Sequence, residues 1–368
     1  MILLINTSNL KMGGSLQVAH SFLNEIRNNT QHTFYVVLSA KLEEQIEENT
    51  FPENFIFYHY SINLNLIKAL LGKDSFLSNL EKEIKPDCIF TIFGPAYWTP
   101  QARNIIGFAD GWCYNPESLA FKNISIFNKL MIILQNKVKT YRIKKELNLL
   151  IVETNDARNR ISSLLNVPTS KIKVVGNTLN QVYNLIEPEQ FDLNLKLEGE
   201  FRLITISANH LNKNLKIIKE VIPYLKNKEM KVCFYLTIDN DSFRAMFKGF
   251  EDYVINLGPI EIKYAPSVYK QCDALFLPTL LETFSVSYLE AMKMEKPILT
   301  SDLNFAHDVC GEAAEYFDPM NPKDIADKIE KIMTDPDRRN YLTEQGINRF
   351  KNFETSASRA EKYLAICQ

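Results

Sequence analysis

Short apolar segments rich in β-branched and aromatic residues alternate with longer amphipathic segments along most of the chain. In the first half the apolar segments predict strands at Ile2–Asn6, Thr33–Ser39, Phe55–Tyr60, Asp87–Phe93, Asn104–Phe108, Leu149–Glu153 and Lys171–Val175. The segments between them favour helices at Ser15–Arg27, Asn63–Glu83 and Asn155–Leu165. Strands that are apolar throughout and separated by helices are typical of a parallel sheet covered on both faces.

The alternation stops after Gly176, because Thr178–Glu200 is polar and contains Pro188, as linkers do. It then resumes at Phe201–Ser207, Lys213–Leu225, Val232–Thr237, Tyr253–Leu257, Ala274–Pro278 and Pro297–Thr300, and Thr355–Ile366 favours a last helix. We therefore predict an α/β protein with two doubly wound, Rossmann-like domains. The expected boundaries are 1–177 for the first domain, 178–200 for a linker, 201–350 for the second domain and 351–368 for a C-terminal helix.

The composition is that of a folded protein, with 368 residues of which 46% are hydrophobic. The 42 Lys and Arg against 44 Asp and Glu exclude a strongly basic nucleic-acid binder and an acidic disordered chain. No apolar run reaches the length of a membrane span, and the N-terminus lacks the basic region and cleavage site of a signal peptide. The six cysteines form no C-x-x-C pair, which favours buried thiols and a cytoplasmic protein.

The first predicted strand is followed by a loop that contains Gly13 and Gly14. Paired glycines let the backbone approach a ligand, and the N–H groups of a helix start favour anions or hydroxyls. The loop is not a G-x-G-x-x-G motif, and residues 36–40 contain no acidic side chain for a ribose, which argues against a dinucleotide dehydrogenase. A tight turn that requires glycine is the simpler alternative.

The most informative segment is Leu275–Thr300, where a buried strand is followed by a polar turn and a helix. Glu282 lies just before this helix and Glu290 in its second turn, so we expect both carboxylates at one edge of a site. The first N–H groups of the helix favour a phosphate or a sugar hydroxyl, and carboxylates accept hydrogen bonds from vicinal diols. Taken alone, the pair is more simply a helix-start charge and a solvated side chain.

The residues around the two glutamates resemble the E-x7-E segment of retaining nucleotide-sugar glycosyltransferases of family 4. The matching residues are Pro278–Thr279, Glu282–Thr283–Phe284–Ser285, Glu290–Ala291–Met292, Lys296–Pro297–Ile298, Ser301–Asp302, Gly311–Glu312–Ala313–Ala314 and Phe317–Asp318–Pro319. The first half resembles the family only at Gly13–Gly14 and at Val174–Val175–Gly176–Asn177. The resemblance implies the GT-B fold, in which two Rossmann-like domains face a cleft and the C-terminal helix crosses back to the first domain.

By this resemblance Glu290 would hold the ribose hydroxyls of the donor and Glu282 would lie beside the donor sugar. The backbone of Thr283–Phe284–Ser285–Val286 would bind the sugar or the β-phosphate, and Gly13–Gly14 would also contact the donor. The family usually has glycine at the positions of Thr283, Ser285 and Lys296. The side chains at these positions would narrow the sugar pocket or reach the ligand.

A cationic pair that neutralises the departing diphosphate is a second family feature, and Lys213 matches its lysine at a predicted helix start. The arginine position is Ala208, so Asn209 or His210 is the candidate replacement donor. The loop Gly258–Pro259–Ile260 matches the segment that contacts the nucleotide base.

On the acceptor side, Phe93–Trp98 and Gly107–Trp112 place aromatic residues in loops that follow strands, as surfaces that stack on sugar rings do. Core roles for both tryptophans are an equal alternative. Many family members carry a histidine near the second loop. Here Asp110 is the nearest polar candidate for orienting the acceptor hydroxyl.

Asp239–Asn240–Asp241 has the D-x-D spacing of a metal motif found in the other glycosyltransferase fold, but its position favours a solvated turn. The five histidines lack metal-ligand spacing. We therefore expect no metal and no cofactor, with a nucleoside diphosphate sugar, preferably a UDP-sugar, as donor substrate.

The segment Phe121–Lys145 mixes apolar residues with basic ones and contains no acidic residue. Its basic residues are Lys122, Lys129, Lys137, Lys139, Arg142, Lys144 and Lys145. Such a mixture can lie at an anionic membrane surface, and a solvated face over a packed stripe is the alternative. Many relatives act on lipid-linked acceptors, so the resemblance favours peripheral membrane contact.

Together these features predict a retaining hexosyltransferase that acts on a glycan or lipid-linked glycan during bacterial capsule or O-antigen synthesis, at the inner face of the cytoplasmic membrane. Glu282, Lys213 and Asp110 are the predicted catalytic residues. A GT-B nucleotide-sugar epimerase or hydrolase is one alternative. A non-catalytic nucleotide-sugar-binding protein is another, suggested by Ala208 and the missing histidine.

Overall fold

A computed structural model describes residues 1–11, 13–62, 66–193 and 195–368. The chain divides into two compact units. Unit 1 comprises Met1–Pro116, Ser125–Asn177 and Glu354–Gln368, and unit 2 comprises Glu117–Ile124 and Thr178–Phe353. The chain therefore leaves unit 1 for one short segment, crosses to unit 2 after Asn177, and returns to unit 1 at Glu354.

The core of unit 1 is a parallel sheet of seven strands in the order β3-β2-β1-β4-β5-β6-β7. The strands are β1 Ile2–Asn6, β2 Thr33–Leu38, β3 Phe55–His59, β4 Cys88–Thr91, β5 Arg103–Gly107, β6 Leu149–Val152 and β7 Ile172–Val174. The chain reverses direction across the sheet between β1 and β4. The loops that follow these two strands therefore lie side by side, where ligands of such sheets bind.

Unit 2 contains a second parallel sheet of six strands in the order β10-β9-β8-β11-β12-β13. Its strands are β8 Phe201–Thr205, β9 Val232–Leu236, β10 Val254–Asn256, β11 Ala274–Leu277, β12 Ile298–Ser301 and β13 Ala314–Phe317. Here the reversal lies between β8 and β11. All residues of β8 and β11 are buried, which explains why these strands are mostly apolar instead of alternating. Arg202 and Thr205 are the polar exceptions in β8.

Helices cover both faces of the two sheets. They are α1 Gly14–Ile26, α2 Ala40–Glu43, α3 Leu66–Leu71, α4 Ser75–Ile84, α5 Gly111–Tyr114, α6 Ile126–Glu146, α7 Asn155–Leu165, α8 Ile217–Asn227, α9 Asn240–Phe247, α10 Ala265–Gln271, α11 Val286–Lys293, α12 Asn304–Cys310, α13 Pro322–Thr334, α14 Pro336–Phe350 and α15 Ser356–Cys367. Within the part of the chain that is described, none of them has both the length and the apolar character to cross a bilayer.

The last helix, α15, packs in unit 1 against α1, as expected for a C-terminal helix that crosses back. Its buried Arg359 donates to Asn177 Oδ1 at 2.8 Å and to Ser21 Oγ at 2.9 Å. The ring of Tyr363 meets that of Phe22 edge-on at 5.5 Å. A buried guanidinium with two side-chain acceptors and an aromatic pair tie the end of the chain to the first sheet.

Local backbone geometry changes two predicted helices. The helix expected at Asn63–Glu83 is interrupted at Gly72, whose φ of +59° is left-handed, and α4 restarts behind Asp74, which accepts from Leu77 N at 3.0 Å. Residues 63–65 lie outside the described part. The helix expected at Lys213–Leu225 begins only at Ile217, because Asn214 also adopts a left-handed φ of +54°.

The polar segment Thr178–Glu200, expected as a linker, belongs to unit 2 and packs against α10. Phe191 N donates to Ser267 Oγ at 3.0 Å, and the ring of Tyr183 meets that of Tyr269 at 6.3 Å. These contacts connect residues far apart in the chain, so local polarity alone could not reveal them.

Candidate functional site

The candidate donor site lies at the sheet reversal of unit 2, where the loops that follow β8 and β11 are adjacent. Two hydrogen bonds join the loops directly: Asn212 Nδ2 donates to Leu281 O at 2.6 Å, and Leu280 N donates to Asn212 O at 2.7 Å. Residues that are 69 positions apart in sequence are thereby held side by side.

An ion pair occupies this junction. Lys213 Nζ lies 2.6 Å from Glu282 Oε1, and Thr279 Oγ1 lies 2.9 Å from the same oxygen. The side chains of Lys213 and Glu282 are 12% and 13% exposed, so the pair is largely removed from water yet open to a ligand. Lys213 stands on a 3-10 turn, Leu211–Lys213, and not at the start of α8 as expected, because of the left-handed Asn214.

Glu290 on α11 is the second carboxyl of the junction and is 6% exposed. Tyr269 OH donates to Glu290 Oε2 at 3.1 Å. Burial raises the pKa of Glu290 to about 7, against the opposing effects of Tyr269, Tyr183 and the charge of Lys213. The ammonium of Lys213 therefore acts on both carboxyls, and the structure brings Lys213, Glu282 and Glu290 together.

Tyr183 and Tyr269 were not among the predicted site residues. Both rings are buried, and the nearby Glu290 charge adds to burial in raising the pKa of both phenols. Tyr183 comes from the segment expected to be a linker. The available signal was the apolar residues that surround Tyr183 in this segment, such as Leu179, Val182 and Phe191. The contact of Tyr183 with α10 depends on the tertiary fold.

In the turn before α11 the side chains of Phe284 and Ser285 are buried, whereas those of Thr283 and Val286 are half-buried. Ser285 precedes the first residue of α11, Val286, and makes no side-chain capping bond. Phe284 packs edge-on against Phe353 with ring centroids 6.1 Å apart. The first N–H groups of a helix have no intrahelical acceptor, so the start of α11 suits an anion or a hydroxyl. Glu282 stands four residues before the helix.

The other donor-side candidates lie in loops of the same sheet edge. Asn209 and His210 are exposed after β8, and His210 O accepts from Lys213 N at 2.9 Å. After β10, Gly258 is buried with a left-handed φ of +72°, followed by the exposed Pro259 and the half-buried Ile260. The left-handed φ explains why glycine stands at that position.

Gly13 and Gly14 belong to unit 1, at the start of α1. Gly13 has a left-handed φ of +70°, and a Cβ added at either glycine would meet no atom within 4 Å. The conformation of Gly13 supports the turn explanation, and the open space beside both glycines leaves their backbone accessible.

Two loops of unit 1 carry the acceptor-side candidates. We call Phe93–Trp98 loop A and Gly107–Trp112 loop B. They are joined where Gly94 N donates to Gly107 O at 2.8 Å. Asp110 in loop B is paired with Lys139 Nζ at 2.5 Å. Trp98 is a core residue at 1% exposure, whereas Trp112 is half-buried.

The D-x-D sequence caps a helix. Asp239 accepts from Ser242 N at 2.8 Å at the start of α9, and Asp241 pairs with Arg244 at 2.8 Å. Among the described residues, no group of three or more His, Cys, Asp or Glu side chains is placed to hold a metal ion.

Comparison with known sequences places the donor-side cluster in a known domain. Residues 187–349, which include Lys213, Glu282 and Glu290, match the family model described as glycosyl transferases group 1. The O-antigen chain mannosyltransferase RfbU of Salmonella typhimurium is 26% identical over 205 residues, which cover 53% of this chain and 52% of RfbU. A Campylobacter jejuni N,N'-diacetylbacillosaminyl-diphospho-undecaprenol alpha-1,3-N-acetylgalactosaminyltransferase is 25% identical over 53% of each chain. The chain spans about half the length of the curated relatives it matches.

Solved structures match over nearly the whole chain. WaaG, a glycosyltransferase involved in lipopolysaccharide biosynthesis, superposes with a TM-score of 0.72 at 13% identity over 100% of both chains. Anabaena HepE in complex with UDP and glucose gives a TM-score of 0.70 at 13% identity, covering 99% of this chain and 98% of HepE. Identity this low shows the fold alone. The predicted pair of Rossmann-like domains with a returning C-terminal helix, the GT-B fold, is confirmed.

Proposed function

We propose that this chain, which carries a glycosyl transferases group 1 domain on a GT-B fold, transfers a hexose from a nucleoside diphosphate sugar to a glycan or lipid-linked glycan, with retention. The cluster of Lys213, Glu282 and Glu290 beside the start of α11 carries the proposal. A cation, two carboxyls and the amides at the start of a helix are what a diphosphate, a ribose and a sugar require together. UDP is the preferred nucleotide, supported by the UDP bound to HepE.

The proposed roles follow from the chemistry of each group. Glu290 accepts hydrogen bonds from the ribose hydroxyls, and Glu282 from hydroxyls of the donor sugar. Lys213 exchanges part of its pairing with Glu282 for the diphosphate and stabilises the leaving group as negative charge develops. A β-phosphate oxygen of the donor takes the proton of the acceptor hydroxyl on the same face, which gives retention. No metal or cofactor takes part in this scheme.

On the acceptor side, Asp110 orients the attacking hydroxyl. Its ion pair with Lys139 holds the carboxylate in one position, with one oxygen still able to accept a hydrogen bond. The half-buried rings of Tyr97 in loop A and Trp112 in loop B supply stacking surface for a sugar ring. The relatives named for O-antigen and lipopolysaccharide synthesis support a role in bacterial surface polysaccharide assembly, with peripheral membrane contact through residues 121–145.

A thermal-shift screen of nucleotide sugars tests the donor, because a ligand that binds only the folded state stabilises it by mass action. We expect Glu290→Ala to abolish the shift produced by the preferred donor. Asp239→Ala, which removes only the cap of α9, should retain it. An unchanged donor affinity in Glu290→Ala would contradict the site assignment.

Turnover measurements separate this function from the two alternatives. Acceptor-dependent sugar transfer is the expected result. Conversion of the donor without an acceptor would indicate an epimerase or hydrolase, and binding without conversion would indicate a non-catalytic nucleotide-sugar-binding protein.

A further inference from the structure

Helix α6 of unit 1 has two halves with opposite surroundings. In its first half the apolar side chains are exposed: Ile126 is 81%, Phe127 71% and Leu130 61% exposed. Met131, Ile133 and Leu134 are also exposed. Six large apolar side chains on consecutive turns form a contiguous surface, which a soluble protein seldom leaves uncovered.

The exposed face changes from apolar to basic along the helix. Positions three or four apart lie on one face, and the series from Ile126 through Leu130 and Ile133 continues to the exposed Lys137 and Lys144. The sequence from 126 to 145 contains no acidic residue. An apolar stripe followed by lysines fits an anionic bilayer, with the apolar groups at the acyl boundary and the ammonium groups at the phosphates.

A second copy of the chain is a poorer occupant for this surface. A symmetric dimer buries the same patch from both subunits, and an antiparallel crossing of two such helices would desolvate lysines beside apolar side chains. An anionic bilayer satisfies both kinds of side chain at once, so the charge pattern favours it.

The second half of α6 holds loops A and B. Asn136 Nδ2 donates to Trp112 O at 2.7 Å, and Lys139 pairs with Asp110, so two adjacent turns hold loop B. Farther along, Glu146 Oε2 accepts from Ala96 N of loop A at 2.8 Å. Glu146 is itself fixed by the buried Arg142, whose Nη2 lies 2.7 Å from Glu146 Oε1.

We propose that α6 couples membrane docking to the acceptor side: residues 126–134 bind an anionic bilayer, and Asn136, Lys139 and Glu146 transmit that docking to loops A and B. The helix has 21 residues and is about 30 Å long, and only about 3 Å of its axis separates Leu134 from Asn136. A continuous helix moves its two halves together, so a bilayer that restrains the first half restrains the loops. The three side chains are positioning residues, and the acceptor role of the loops rests on the proposed function.

The docking step is tested with vesicles of phosphatidylglycerol mixed with phosphatidylcholine, and of phosphatidylcholine alone. We expect the wild type to co-sediment with the anionic vesicles, and Phe127→Asp with Leu130→Asp to reduce this partitioning at least about tenfold. The matched control is Leu195→Asp with Leu197→Asp, which makes the same kind of change at side chains that are 92% and 71% exposed in unit 2. Equal losses in both double variants, or a changed oligomeric state with unchanged partitioning, would overturn the proposal.

The coupling step is tested by hydrogen exchange of loops A and B with and without anionic vesicles. Exchange in both loops should slow on vesicle addition in the wild type. Asn136→Ala should bind vesicles as the wild type does but lose much of the slowing in loop B. Vesicle binding with no change in either loop, or a full response in Asn136→Ala, would refute the coupling. These readouts need no donor, so failure of nucleotide-sugar binding in the thermal-shift screen would count against the proposed function separately.

Discussion

Replacing Glu290 with glutamine should stabilise the unliganded protein while weakening donor binding. The carboxyl is buried on α11, where Tyr269 OH donates to its Oε2 at 3.1 Å. Glutamine has nearly the same shape and keeps an oxygen that can accept from Tyr269. It removes the negative charge, whose burial is unfavourable in the absence of a ligand.

The pKa of Glu290, which burial raises from 4.5 to about 7, determines how much Glu290→Gln raises the free energy of unfolding and how this gain depends on pH. The folded state then binds more protons than the unfolded state between these values, so wild-type stability falls as the pH rises through this window. Above pH 7 the wild type has lost the full amount, about 3 kcal/mol of its free energy of unfolding. Since glutamine does not titrate, the advantage of Glu290→Gln should be small at pH 4.5 and approach this value at pH 8.

Urea denaturation at several pH values measures the effect, and the chain offers an internal control. Its two tryptophans, Trp98 and Trp112, both belong to unit 1. Tryptophan emission therefore follows unit 1, while hydrogen exchange of β8 and β11 follows unit 2. Only the unit 2 signal should change between wild type and Glu290→Gln.

A stability difference that does not vary with pH would refute the reasoning, since a titrating buried carboxyl must produce a slope. A lower stability of Glu290→Gln at pH 8 would show that the carboxylate is well solvated or well paired without a ligand. Retained wild-type affinity for the donor would remove Glu290 from the binding site even if the stability prediction held.

Three further predictions concern other parts of the molecule. Lys213→Met should lower kcat by at least about 100-fold, which corresponds to a loss of about 3 kcal/mol of transition-state stabilisation, and should weaken donor binding less. Equal decreases in kcat and in donor affinity, measured by steady-state kinetics, would contradict a leaving-group role. Gly107→Ala should prevent folding of unit 1, because the added Cβ would lie 1.8 Å from Ile92 O. The control Gly176→Ala should fold normally, since its Cβ would meet only Glu153 O at 4.0 Å, and circular dichroism compares the two variants. Transfer activity should persist in a chelator, and loss that manganese restores would contradict the metal-free scheme.

The architecture was predictable because parallel strands buried on both faces leave a direct record in the sequence. Every residue of β11 is apolar, and β8 departs from this only at Arg202 and Thr205. The segment Thr178–Glu200, which precedes β8, marks the change of unit. What the pattern could not show is local left-handed backbone. Asn214 delays α8 by one turn, and no apolar periodicity reports a single φ angle.

The sequence was sufficient to name the residues of the donor-side cluster, but not the contacts between them. Lys213 and Glu282 were proposed from separate loops, and their 2.6 Å contact depends on β8 and β11 being neighbours in the sheet. Tyr183 was missed because its segment has no clear strand or helix pattern and its partner, Tyr269, is distant in sequence. The sequence left the exposure of Ile126 and Phe127 open, because a mixture of apolar and basic residues fits both a membrane surface and a packed stripe under a solvated face.

The short segment Glu117–Ile124 belongs to one unit and leads directly into a helix of the other. It belongs to unit 2, where Ser118 Oγ donates to Leu280 O at 2.9 Å, beside the loop of Glu282. One peptide later, Ser125 caps α6 by accepting from Asn128 N at 3.2 Å. The start of the exposed helix is therefore covalently continuous with a segment hydrogen-bonded to the donor loop. Vesicle binding and donor affinity should therefore be measured on the same variants.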